Sequence, residues 1–162
     1  MHYLVYISAA VYPFSEAELL ELLNVSRRNN ALLDITGMLL YKDGRFMQLL
    51  EGEKDAALAL TAKVARDPRH RRLTVLLEGD RPRREFPDWS LGFQRLDTPE
   101  ARDLPGYRNL FNVPLDDAIF TSNASECLKM FLNFRKQPAA APPAQDPGDR
   151  YRFWNASRPA GA

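Results

Sequence analysis

The sequence predicts an α+β fold: a ferredoxin-like split β-α-β sandwich, ordered β-α-β-β-α-β-β, with C-terminal helices covering the other face of its sheet. Three observations predict it. Apolar, β-branched and aromatic runs alternate with helical periodicities through residues 1–136. Asp43-Gly44 sits between two such runs, the strongest short-range hairpin signal. The runs Leu4–Ile7 and Phe46–Leu50 are apolar on both faces, so the sheet needs cover on both sides.

Each element has its own local reason. Residues 2–8 form an apolar, aromatic first strand. Ser15 and Glu18 make a capping box for the first helix, with Phe14 placed to staple onto Leu19. Leu19, Leu20, Leu22, Leu23 and Val25 give that helix an apolar face, and Arg27-Arg28-Asn29-Asn30 marks its end. Ile35–Tyr41 and Arg45–Leu50 are the hairpin arms. A second helix spans about Glu53 to Arg66, stopped by Asp67-Pro68. Leu73–Glu78 reads as a fourth strand and Trp89–Leu96 as a fifth, after the turn Phe86-Pro87-Asp88. Asn123 with Glu126 is placed to cap a last helix carrying Leu128, Met130, Phe131, Leu132 and Phe134. Residues 137–162 hold five of the twelve prolines and seven alanines, a composition that suits extended chain and buries no face. The expected units are therefore 1–96, a helical extension over 97–136, and a flexible tail over 137–162.

Composition bounds the function. With 162 residues, 22 Lys+Arg against 21 Asp+Glu and 45% hydrophobic residues, the chain is neither disordered nor strongly charged. The single Cys127 forms no internal disulfide, and the start Met1–Tyr6 lacks a basic segment and long apolar region, so a cytoplasmic setting is expected. No apolar run approaches the roughly 18 residues of a membrane span. The eight glycines form neither GxGxxG nor GxxxxGK[ST], which argues against the usual glycine-loop grip on a nucleotide. Two histidines and one cysteine lack metal-ligand spacing, and no nucleophile elbow is present.

Four features do not fit a plain core. Gln48 lies inside Phe46-Met47-Gln48-Leu49-Leu50, where an unpartnered amide costs roughly 1–3 kcal/mol. A right-handed crossover makes the first and third strands central neighbours, expected to run parallel, so that Tyr6 and Gln48 meet beneath the helices. That pair reads either as a hydrogen bond completing a core or as the floor of a site. Asn29-Asn30 reads either as a helix C-cap or as amides offering donor and acceptor to a heterocycle's edge. Arg66–Arg84 holds seven arginines and sums to +4 against −3 for the remainder, which suits a solvated surface or phosphate contacts. Trp89 is either a lid or a strand-end core residue.

These features come together in a known pattern. Tyr6, Ser26-Arg27-Arg28-Asn29-Asn30, Ile35-Thr36-Gly37-Met38-Leu39-Leu40-Tyr41, Phe46-Met47-Gln48-Leu49-Leu50-Glu51-Gly52, Arg66-Asp67-Pro68-Arg69-His70 and Phe86-Pro87-Asp88-Trp89-Ser90-Leu91-Gly92-Phe93 resemble BLUF domains. Those are blue-light sensors binding FAD non-covalently, and the chain is similar to their short type, one domain plus C-terminal helices. The resemblance implies a flavin ring between the two helices, above the sheet. It implies that Tyr6 gives an electron and a proton to excited flavin through Gln48. Gln48 then rearranges, by rotation or tautomerisation, and strengthens a hydrogen bond to the flavin carbonyl, which red-shifts the absorption. Asn30 and Asn29 would hold the ring's polar edge. Arg66, Asp67, Arg69 and His70 stand where the family has ribityl and phosphate contacts. Trp89 matches a signal-relay tryptophan, while Leu91 departs from the usual methionine, keeping apolar volume without the soft sulfur.

The resemblance thus implies a photosensory switch, not an enzyme, that signals to a separate effector protein. It is expected to form homo-oligomers, and neither a membrane nor a nucleic acid is expected as partner. The rival reading is a light-insensitive ferredoxin-like module that binds a protein or nucleic acid through the Arg66–Arg84 stretch.

Overall fold

Five strands pair into one sheet in the computed structural model, which describes residues 1–88, 90–95 and 125–137. The expectations for Trp89, Leu96, Asn123 and the tail fall outside those residues. In chain order the elements are β1 (His2–Ala10), α1 (Glu16–Leu32), β2 (Thr36–Lys42), β3 (Arg45–Gly52), α2 (Lys54–Ala65), β4 (His70–Asp80), β5 (Gly92–Arg95) and α3 (Glu126–Lys136). The strand order is β4-β1-β3-β2-β5. The first four strands pair antiparallel, and β5 joins β2 in parallel at the edge.

One expectation is corrected here. β1 and β3 are central neighbours, but they run antiparallel. The crossover through α1 brings β2 back parallel to β1, and the tight hairpin then reverses β3, which slots between them. The hairpin itself follows the sequence: Asp43 and Gly44 take φ values of 48° and 72°, the paired left-handed geometry of a two-residue turn. Gly37 on β2 is also obligatory, because a Cβ there would lie 1.9 Å from the Leu49 carbonyl oxygen.

Helix ends differ from the sequence reading in two places. The capping box forms, with Ser15 Oγ accepting from the Glu18 amide and Glu18 Oε2 accepting from the Ser15 amide at 2.8 Å. The far end of α1 lies beyond the asparagines, which occupy its last turn. Asp34, at φ 50°, provides the left-handed residue, while the Ile35 and Asp34 amides donate to the Asn30 and Ala31 carbonyls. That is a Schellman closure, and it leaves both asparagine side chains free of capping duty. α3 is capped by Ser125, whose Oγ accepts from the Leu128 amide at 3.1 Å. Ser125 sits where the cap must be, directly before Glu126, whereas Asn123 is too early.

Alternation along the strands divides the core. Leu4, Tyr6, Ala10, Leu39, Phe46 and Leu50 face α1 and α2, packing with Leu19, Leu23 and Leu60. Val5, Met38, Leu40, Met47 and Leu49 face the other way and pack against Cys127, Phe131 and Phe134 of α3. The helical spacing of those three residues puts them on one stripe, so α3 is the expected cover.

This second face contains a buried acid. Glu51 is fully buried, and its Oε1 and Oε2 accept the backbone amides of Glu85 (2.7 Å) and Phe86 (2.9 Å). Arg81 Nη2 lies 3.3 Å from Oε1, and Arg81 also pairs with Glu85 at 2.8 Å. Ser125 Oγ donates to Glu85, so the acid's network reaches the cap of α3. Replacing Glu51 with Leu should lower stability by about 3 kcal/mol, since it leaves two amides without their acceptor and takes one of two carboxylates from Arg81. Urea unfolding of the variant tests this, and a midpoint equal to wild type would mean that the network contributes nothing.

Candidate functional site

The antiparallel β1–β3 register sets Tyr6 directly opposite Gln48 on the face beneath the helices. Tyr6 Oη donates a hydrogen bond to Gln48 Oε1. Tyr6 is 1% and Gln48 8% exposed, so the pair is screened from bulk water. Burial, aided by the charge of Asp67, pushes the Tyr6 phenol well above its ordinary pKa of 10 and keeps it protonated.

Above this pair lies a cleft that opens to solvent, enclosing about 730 Å³ when the space at its mouth is included. α1 contributes Leu22, Val25, Ser26, Asn29 and Asn30 at three- and four-residue spacing, one helical face. α2 and the chain after it contribute Leu60, Lys63, Val64 and Asp67 with the same periodicity. The walls are therefore apolar for a flat ring, with amides at one edge and cations at the rim. Asn30 is buried, and its Nδ2 donates to the Ser90 carbonyl at 2.7 Å.

The rim is internally paired. Arg69 grips Asp67 through Nε (3.0 Å) and Nη2 (2.6 Å), and its amide donates to Asp67 Oδ1 at 2.9 Å. Burial raises the Asp67 pKa, but the Arg69 hydrogen bonds and charge outweigh it and hold the carboxyl below its usual range. His70 shares a hydrogen bond with Ser8 at 2.9 Å and packs on the Phe46 ring at 4.7 Å. Burial lowers its pKa to about 4.

Most of the sequence-predicted residues meet here. Tyr6, Gln48, Asn29, Asn30, Asp67, Arg69 and His70 all line the cleft. Arg66, the C-cap of α2, is exposed and is not among the residues lining the cleft. Leu91 is 3% exposed and packs with Leu39 and Phe46 behind the cleft wall. Sequence reasoning missed Lys63 and the lining role of Val25, Leu60 and Val64. Their signal was present as the helical spacing shared with Asn29 and Asp67. Within Arg66–Arg84, Arg69 pairs with Asp67, Arg81 with Glu51 and Glu85, and Arg84 with Asp34. The stretch is thus partly internal structure, which weakens the basic-patch reading.

The donor set fits a flavin: apolar walls for the ring, amides for its carbonyl and N–H edge, cations for a phosphate. Comparisons agree. A family model, BLUF, sensors of blue light using FAD, matches residues 1–92. The photoactivated adenylate cyclase subunit beta of Euglena longa is 42% identical over 89 residues, 54% of this chain and 10% of that protein. The blue light- and temperature-regulated antirepressor BluF of Escherichia coli strain K12 is 35% identical over 66 residues, 41% of this chain and 16% of that protein. The chain thus matches only a small part of these relatives' length. The dark-state structure of BlrB, a BLUF protein, superposes with a TM-score of 0.56 at 32% identity, over 59% of this chain and 72% of that one.

His70 makes the site's acid limit predictable. Its folded pKa of about 4 lies below the ordinary 6.5, so between those values the unfolded chain binds more protons. Stability from this residue is therefore present above pH 6.5 and is lost as pH falls towards 4. Urea midpoints at pH 7 and pH 4.5 should differ less in His70→Gln than in wild type. An equal drop in both would remove His70 from the acid limb.

Proposed function

The chain belongs to the BLUF family, sensors of blue light using FAD, and from that premise we propose that Tyr6 and Gln48 are its light-responsive pair. The single observation that carries this reading is the buried Tyr6–Gln48 hydrogen bond on the floor of the cleft between α1 and α2.

A bound flavin supplies blue-light absorption and an electron acceptor; the residues supply the rest. Tyr6 holds its proton at Oη against Gln48 Oε1, with a phenol too weakly acidic to ionise alone. Loss of the proton ahead of the electron is therefore disfavoured, and Gln48 would be the group positioned to pass the proton. Gln48 accepts from Tyr6, and an amide reversed by rotation or tautomerisation exchanges acceptor for donor. Such a reversal alters what the cleft's polar edge offers without any net chemistry. Asn29 and Asn30 orient the ring's edge, Lys63 and Arg69 offer cations to a phosphate, and Leu22, Leu39, Phe46 and Val64 exclude water.

The output is a hydrogen-bond change and not a turnover, which suits a switch that signals to an effector protein. Relatives named as a cyclase subunit and an antirepressor illustrate the range of such outputs. Leu91, packed behind the cleft, and Trp89, two positions earlier in the sequence, belong to the relay.

Purified protein should be yellow, with blue light producing a small red shift that reverses in darkness. Tyr6→Phe should keep flavin and lose the shift, and Gln48→Leu should do the same. Absorption spectra before and after illumination measure all three, and a wild-type photocycle in Tyr6→Phe would exclude Tyr6 from the pair.

A further inference from the structure

β5 is the least anchored strand of the sheet: four residues, paired among the described elements with β2 alone. The residues just before it, however, are held from α1. Asn30 Nδ2 donates to the Ser90 carbonyl at 2.7 Å, and Arg27 Nε donates to the next carbonyl, Leu91, at 2.9 Å. Arg27 and Asn30 are three residues apart in the last turns of α1, so they grip successive carbonyls from one helical face. Between those carbonyls the Leu91 side chain is driven into the cluster of Leu39 and Phe46, both of which line the cleft.

Only one of the two gripping residues touches the cleft. Asn30 lines it, and an amide carries a second N–H and an oxygen beyond the bond to Ser90. Arg27 is not part of the lining; its contact is to the backbone. We infer that Arg27 is a positioning residue for the light response, clamping the Ser90–Leu91 segment so that hydrogen-bond changes felt at Asn30 reach the start of β5. The inference rests on the cleft holding a flavin. Without the Arg27 bond the segment keeps the Asn30 hydrogen bond among the described contacts, and a displacement at Asn30 can be absorbed by local rotation before it reaches Gly92. A short edge strand with few backbone bonds sits at the low-stability end of a fold, where such a coupling has most effect.

The test uses the full chain loaded with FAD, comparing wild type, Arg27→Ala and Arg27→Lys. The readouts are the light-induced spectral shift and hydrogen exchange of the 90–95 amides in light and darkness. Arg27→Ala should retain flavin and the spectral shift, while the light-minus-dark exchange difference over 90–95 falls at least threefold. Arg27→Lys, which keeps a donor on a similar stem, should recover part of that difference and covers the case in which the alanine variant folds poorly. A purely structural role would lower the melting temperature and leave the light-dependent difference intact. An exchange difference equal to wild type in Arg27→Ala, or in Arg27→Lys where only that variant folds, overturns the inference. A wild-type protein that holds FAD without any spectral shift overturns the photosensor reading as well, and is recognised by the spectrum alone.

Discussion

β3 is covered on both faces, and that constraint organises the molecule. A polar side chain there has no water to fall back on, and leaving it unpartnered costs about 1–3 kcal/mol. β3 nonetheless buries two, three residues apart and on opposite faces. Gln48 recruits Tyr6 from β1 and forms the cleft floor. Glu51 recruits the Glu85 and Phe86 amides with Arg81, and through Glu85 the cap of α3. One strand therefore joins the site under α1 and α2 to the helix on the reverse side.

The cleft is arranged to keep charge fixed while hydrogen bonds remain adjustable. Asp67 and Arg69 neutralise one another at the rim, His70 is uncharged at neutral pH, and Tyr6 stays protonated. With these groups fixed in charge, the remaining freedom lies in the amides of Gln48, Asn29 and Asn30. In a dry site each amide orientation carries more weight than it would in water, because the alternative partner is absent.

Much of this was legible in the sequence, for local reasons. The capping box, the Asp43-Gly44 turn and the two-faced strands are all encoded within a few residues. The direction of β3 against β1 was not, because it depends on composing a crossover with a hairpin. Asn29-Asn30 resembles a cap, and only the Schellman closure at Asp34 shows that the amides are spare. β4 runs from His70 to Asp80, far beyond its apolar segment, because pairing with β1 rather than burial sets its length. Glu51 and Ser125 escaped notice for a common reason. A charged or hydroxyl residue announces neither burial nor partner until long-range contacts supply both.

The size of the trigger decides which element can respond to it first. Reversing one amide exchanges one or two hydrogen bonds, each contributing about 1 kcal/mol net. Driving a two-state element from 1:99 to 99:1 needs about 5.5 kcal/mol. α3 buries Phe131 and Phe134 completely, at about 1.5–3 kcal/mol per side chain, and is also held through Ser125 and Glu85. An amide reversal is too small to undock it directly. β5, four residues long at the sheet's edge, pairs among the described elements with β2 alone, and the Ser90 carbonyl just ahead of it accepts from Asn30. The energy available at Gln48 and Asn30 therefore matches the start of β5, and any movement of α3 must follow as a second step, after the edge of the sheet has changed.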